Sequence, residues 1–369
     1  MVECLPRLPL NRVLDTLRAA FTKLAEGCAV QPPQTLTLLP GGGDVIAYQA
    51  ALDDTYGLKI SPYLPQTDRS AVVTAWTLVL STRTGRPLLL CDAHALTVER
   101  TAATSALAVD HLARPEADTL AVIGSGPQAH AHLRYARAVR PFTAVRMYAP
   151  TLTEAKAPDG VTVAPSAEAA AADADVVLLC TSAAQPVIDT AALTPGTVVT
   201  SISTNAPRAH EIPPAALPAM EVYGDYRPTV TTAAGEMVLA TERGLWSAEQ
   251  LRGDLPELLT GGCPLPPVNN RSSSARPAWA SRTSPSPACW SAPDLHSPTP
   301  PSPHRRHPVR HQALKRPPCP SPRSSSKHGS PATSTASPTI SPTAAATPSA
   351  SANCSPMTPT RSGASWPST

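Results

Sequence analysis

Apolar and polar positions change period several times along the first 112 residues. Val13, Leu14, Leu17, Phe21 and Leu24 recur three and four apart, which predicts an amphipathic helix over residues 11–26. Pro32-Pro33 closes that segment. Short apolar runs follow at 35–39, 45–49, 58–62, 71–80 and 87–91, with a turn at Thr84-Gly85, and predict an antiparallel sheet. Thr97 is the expected N-cap of a helix running to Leu112 and rich in small residues, stopped by Ala113-Arg114-Pro115. Strand and helix then alternate: strands at 119–123, 144–148, 176–180, 197–202 and 220–223, helices at 128–139 and 167–172. That alternation predicts an α/β region with a parallel, doubly wound sheet.

Beyond Leu259 the pattern stops. The stretch 268–369 holds 20 of the chain's 45 prolines and 11 Lys/Arg against one acid, Asp294. Too little apolar surface is available there to offset an ordering cost of about 1–2 kcal/mol per residue, so a disordered Pro/Ser/Thr/Ala-rich tail is expected over 263–369. Its abrupt start near Gly262-Cys263-Pro264, with the sudden loss of acids and of hydrophobic period, points to a changed reading frame in a GC-rich gene. The whole-chain charge of +3 hides this division, because residues 1–267 carry about −7. Overall basicity is therefore no ground for a nucleic-acid partner. No run approaches the roughly 18 apolar residues of a membrane span, and the first 20 residues lack the apolar core of a secretory signal. The eight cysteines show no CxxC pair, which suits reduced thiols in a cytoplasmic protein and no metal site.

The sharpest chemical signal is Leu120-Ala121-Val122-Ile123-Gly124-Ser125-Gly126-Pro127-Gln128-Ala129, an apolar strand entering Gly-x-Gly-x-x-Ala and then a helix. Gly124 permits the tight turn, Gly126 lets backbone approach a diphosphate, and Ala129 keeps helix and strand close; the pattern predicts the dinucleotide-binding turn of a Rossmann-type domain ahead of a plain glycine turn. Amides at the helix start favour the phosphates. Some 20 residues on, where an acid would bind the adenosine ribose, the chain reads Tyr148-Ala149-Pro150-Thr151. Without that acid NADP stands ahead of NAD. Thr151, Thr153, Arg146 and Lys156 either meet a 2′-phosphate or are solvated surface residues.

With this turn placed, Leu96-Thr97-Val98-Glu99-Arg100-Thr101-Ala102-Ala103 before it resembles the ornithine cyclodeaminase/mu-crystallin family, and Gly57-Leu58-Lys59, Thr84-Gly85-Arg86-Pro87-Leu88 and Ala234-Gly235-Glu236 fit in order. The resemblance implies a homodimeric enzyme with a substrate-binding and dimerisation domain (1–113), mostly antiparallel α+β, and a Rossmann domain (114–262). It implies NAD(P)-dependent hydride transfer on a small amino acid or cyclic imino acid. Lys59 matches the lysine at the substrate, Arg100 the arginine that grips its carboxylate, and Thr101 a cofactor-contacting hydroxyl, beside Gly124, Ser125, Gly126, Gln128, Ala129 and Thr151. Physics agrees for the two cations: a guanidinium pairs a carboxylate bidentately, and an ammonium polarises or protonates an imine. Asn205 stands where the cyclodeaminases have a basic acid, Thr35 replaces an arginine, and Ile46 an acid that meets the ornithine amine. Asp225 is the remaining candidate catalytic acid; His210 and Glu211 read as structural. These departures place imine reduction, or amino acid oxidation, ahead of two alternatives: ornithine cyclodeamination, and a cofactor-binding but catalytically impaired member.

Overall fold

The computed structural model describes residues 8–65, 71–202, 208–266 and 278–281. The chain divides into two units, Met1–His311 and Gln312–Thr369, and every described residue belongs to the first.

Helix α1 (Leu10–Ala25) buries Val13, Leu14, Leu17 and Phe21, as their spacing predicts. Antiparallel strands follow: β1 (Ala29–Val30), β2 (Thr35–Leu38), β3 (Asp44–Leu52), β4 (Thr55–Pro65), β5 (Ala71–Val73), β6 (Trp76–Ser81) and β7 (Pro87–Asp92). The run expected as one strand over 71–80 is two. Eleven-residue β4 pairs with β6 along Thr55–Ile60 and with β5 at Tyr63–Pro65, so each half of the run takes a different stretch of it. Alternation sets the sheet's two faces: Ala50, Val79, Leu89 and Cys91 bury on the inner one, whereas Ile60, Trp76 and Leu90 remain exposed on the outer one.

α2 (His94–Leu112) starts a turn before the expected cap. Ala93, not Thr97, occupies the N-cap position, and the Asp92 carboxylate accepts from the amide of His94, the first helical residue, at 2.7 Å. Small residues on α2 and on α3 (Pro127–Val139), such as Ala102, Ala106, Ala129 and Ala136, let the two helices pack closely in one core with α1.

The remaining elements are β8 (Thr119–Ile123), β9 (Ala144–Tyr148), β10 (Thr162–Val163), α4 (Ala167–Ala171), β11 (Val176–Leu179), β12 (Val198–Ser201), β13 (Glu221–Gly224), α5 (Arg227–Ala233), α6 (Gly235–Glu242), β14 (Gly253–Asp254), α7 (Leu255–Thr260) and β15 (Ala278–Ser281). They form a wholly parallel sheet ordered β10-β9-β8-β11-β12-β15-β13-β14, the expected doubly wound arrangement. Asp175 anchors its lower edge, accepting from Asp118 and Thr119 amides at 3.0 and 3.1 Å and from Arg114; these bonds outweigh burial and hold its carboxyl well below the usual range. β15 departs from the expectation of a tail without structure from residue 263 onward. The facing edges of β12 and β13 offer backbone donors and acceptors that four extended residues satisfy. Otherwise the expected tail beyond Pro266 lies outside the described residues. Cys91, Cys180 and Cys263 are free thiols, but Cys28 is disulfide-bonded, against the expectation of reduced cysteines throughout. No described helix is long and apolar enough to cross a membrane, and no metal-holding cluster occurs among the described residues.

Candidate active site

At the end of β8, Gly124 takes φ +124°, and a Cβ on it would lie 2.4 Å from the Cys180 carbonyl oxygen beyond β11. Only glycine allows the two strand ends to meet there. Gly126 differs: a Cβ on it would meet no atom within 4 Å, so open space adjoins the turn. α3 begins with no side-chain cap and no acid in its first turn, leaving its first amides and the positive end of its dipole to an anion. Gln128 adds a buried side-chain oxygen with no hydrogen-bond partner, and Ala129 is fully buried where α3 crosses the strand. Bare amides and open room beside a tight turn fit the diphosphate of a dinucleotide.

A cleft of about 1040 Å³ opens at this turn, between the carboxyl ends of the parallel strands and the inner face of the antiparallel sheet. Gly124, Ser125, Gly126, Gln128 and Thr151 line one side; Lys59, Arg100 and Thr101 line the other. The antiparallel sheet, α2 and the parallel strand ends thus bring together residues up to 92 positions apart in the chain. Asp225 is not among them: it lies buried beyond β13, where its carboxylate accepts from the Tyr226 amide at 2.9 Å. Asn205 lies outside the described residues. Of the residues considered for a 2′-phosphate, Thr151 reaches the cleft, whereas Arg146 donates to the Ala172 carbonyl and neither Thr153 nor Lys156 lines it.

Lys59 and Arg100 are 5% and 8% exposed. Lys59 occupies an inward position of β4, paired across the ladder with Tyr48 and Thr77, and its Nζ sits 4.9 Å from the Tyr48 ring centre. The ring's negative face steadies the ammonium in a site shielded from water. Burial raises the Tyr48 phenol pKa, the Arg100 charge opposes the rise and the Asp44 charge adds to it. Thr101 donates its hydroxyl to the Thr97 carbonyl within α2.

A buried carboxyl pair supports the rear wall. Glu211 accepts from the Thr181 amide and hydroxyl, both at 2.7 Å, from the Ile202 amide at 2.9 Å, and stands 3.0 Å from Ser201 Oγ. The same Oγ lies 2.8 Å from Glu236 Oε1. The two carboxyls thus share one hydroxyl partner. Burial pushes Glu236 up to about 7 and raises Glu211 as well. Thr181 and Ile202 both line the cleft, as does Cys180, whose thiol pKa is raised by burial and by Glu211.

Residues 2–264 match the ornithine cyclodeaminase/mu-crystallin family. The chain belongs to that family. It is 51% identical over 263 residues to the NAD(P)H-dependent anabolic L-arginine dehydrogenase DauB of Pseudomonas aeruginosa, covering 69% of this chain and 83% of that enzyme. Among solved structures, the Δ1-pyrroline-2-carboxylate reductase of Thermococcus litoralis, in complex with NADH and L-proline, superposes with a TM-score of 0.68 at 22% identity, covering 76% of this chain and 90% of that one. An archaeal alanine dehydrogenase dimer with bound NAD gives 0.66 at 24% identity, covering 77% and 88%.

Asp44, Tyr48 and Tyr63 are among the cleft residues that sequence analysis leaves unassigned. Alternation along β3 and β4 carries the missing signal, since it puts 44, 46 and 48 on the face that holds Lys59. Glu211, expected to be structural, holds backbone groups that border the cleft.

Proposed function

We propose that this NAD(P)-dependent oxidoreductase interconverts a small α-amino acid, or a cyclic amino acid, with its imine, Arg100 holding the carboxylate and Lys59 serving the nitrogen. The observation that carries the reading is the burial of both cations in the cleft that the glycine turn opens into. The guanidinium fork binds a carboxylate through two parallel bonds, strengthened because water is excluded. The neighbouring ammonium protonates or polarises the imine nitrogen. The bound nicotinamide nucleotide supplies or accepts the hydride. The 51% identity to an L-arginine dehydrogenase supports arginine as the amino acid.

NADP is accepted beside NAD, supported by the lack of an acid after β9, where Tyr148-Ala149-Pro150-Thr151 borders the cleft. The enzyme is a homodimer, supported by the outer face of the antiparallel sheet, where Ile60, Trp76 and Leu90 are 37%, 37% and 43% exposed. It works in the cytoplasm, where reduced nicotinamide nucleotides are at hand. Steady-state kinetics of Arg100→Ala test the core of the reading: kcat/KM for amino acid oxidation is expected to fall about 100-fold, the loss of a charge-assisted pair. An unchanged kcat/KM would remove Arg100 from the site.

A further inference from the structure

Strands β3 and β4 form a ladder whose cross-strand pairs Tyr48–Lys59, Ile46–Ser61 and Asp44–Tyr63 all line the cleft. Each step of two residues along such a strand is roughly 6.8 Å, so Asp44 lies roughly 13 Å along β3 from Tyr48. The cleft is therefore polar end to end. Its cations, Lys59 and Arg100, stand at one pole, and Asp44, its one carboxylate among the described lining residues, stands at the other. Asp44 makes no ion pair with any described residue. Directly across the ladder, Tyr63 is 44% exposed and offers its ring beside the acid.

We propose that Asp44, with Tyr63 opposite it, is the specificity-determining pair of the cleft and reads a cationic side chain, a guanidinium in particular. This rests on the placement of the substrate carboxylate at Arg100. An amino acid anchored there, with its nitrogen at Lys59, directs its side chain over Ile46 and Ser61 toward Asp44. The Ile46 side chain suits an aliphatic stem, and the acid-plus-ring pole suits a planar cation: the carboxylate accepts two parallel N–H bonds while the ring takes the flat face. The shared influence of Arg100 and Asp44 on the Tyr48 hydroxyl agrees with two opposed poles acting across one site. A neutral side chain of equal length gains none of these contacts.

L-Arginine and L-citrulline differ at this end in charge and little else, so their ratio of kcat/KM, measured with the full-length chain and NADP+, reads the pole directly. The unmodified enzyme is expected to favour arginine at least 30-fold, with the difference in KM. Asp44→Asn is expected to collapse that ratio to within about threefold, Asp44→Glu to restore most of it, and Tyr63→Leu to lower it several-fold. Oxidation of citrulline or norleucine with no preference for arginine would overturn the role of Asp44 while leaving the oxidoreductase reading intact, and so would an unaltered ratio in Asp44→Asn. Failure to oxidise any of these amino acids with either nucleotide would defeat the underlying reading and this inference with it.

Discussion

Two glycines two positions apart do different work at the same turn. Adding a methyl group to Gly124 drives it into the Cys180 carbonyl and forces an L residue to φ +124°. Adding one to Gly126 meets only the open space that a diphosphate would enter. Gly124→Ala is therefore expected to destabilise the fold by about 2 kcal/mol, seen as a lower denaturation midpoint. Gly126→Ala should leave that midpoint nearly unmoved and weaken nucleotide binding at least tenfold in a fluorescence titration. A matching loss of stability in both would contradict the assignment. The Gly-x-Gly-x-x-Ala turn was legible because its spacing belongs to one continuous strand–turn–helix unit. Lys59 and Arg100 were legible through local motifs. Asp44 and Tyr63 were not, because their place in the cleft arises from pairing between strands, which no local spacing records.

Among elements, α2 and α3 are fastened by His132, fully buried between them. Its Nδ1 donates to the Gln128 carbonyl at 2.7 Å, and its Nε2 lies 3.0 Å from Ser105 Oγ. Burial lowers its pKa to about 4 from 6.5. Below pH 6.5 the unfolded chain takes up a proton that the folded imidazole refuses. Stability therefore falls as pH drops from 6.5 and the contribution is spent near pH 4, a loss of about 3 kcal/mol. Denaturant unfolding from pH 7 to pH 4 should show a steeper decline for the unmodified protein than for His132→Gln; parallel curves would contradict it. Helix and strand limits were readable wherever the apolar period was strong, as in α1, β8 and β9. They slipped where a tertiary partner decided: the two partners of β4 split the 71–80 run. Short α5, α6 and β14 carry too few residues to show a period at all.

For the whole molecule, the change of vocabulary near residue 264 coincides with the end of the family match. The succession of an antiparallel and then a parallel sheet was legible upstream of it because a period of two gives way to strand–helix alternation. β15 was not, since its sequence resembles its Pro/Ser-rich surroundings and its order comes from the strands on either side. The exposed apolar face of the antiparallel sheet would be covered in a homodimer. Light scattering of the purified chain should give twice its 38.4 kDa mass, and Trp76→Glu should shift it toward monomer. A monomer at all concentrations would contradict the homodimer. The most direct measurement is nucleotide stoichiometry: NADPH and NADH, each incubated with the enzyme, ammonia and the 2-oxo acid of arginine, or with a cyclic imino acid. One nucleotide oxidised per amino acid formed is the predicted result. Ammonia released from an amino acid with no net change in nucleotide, or no turnover and no binding of either nucleotide, would contradict it.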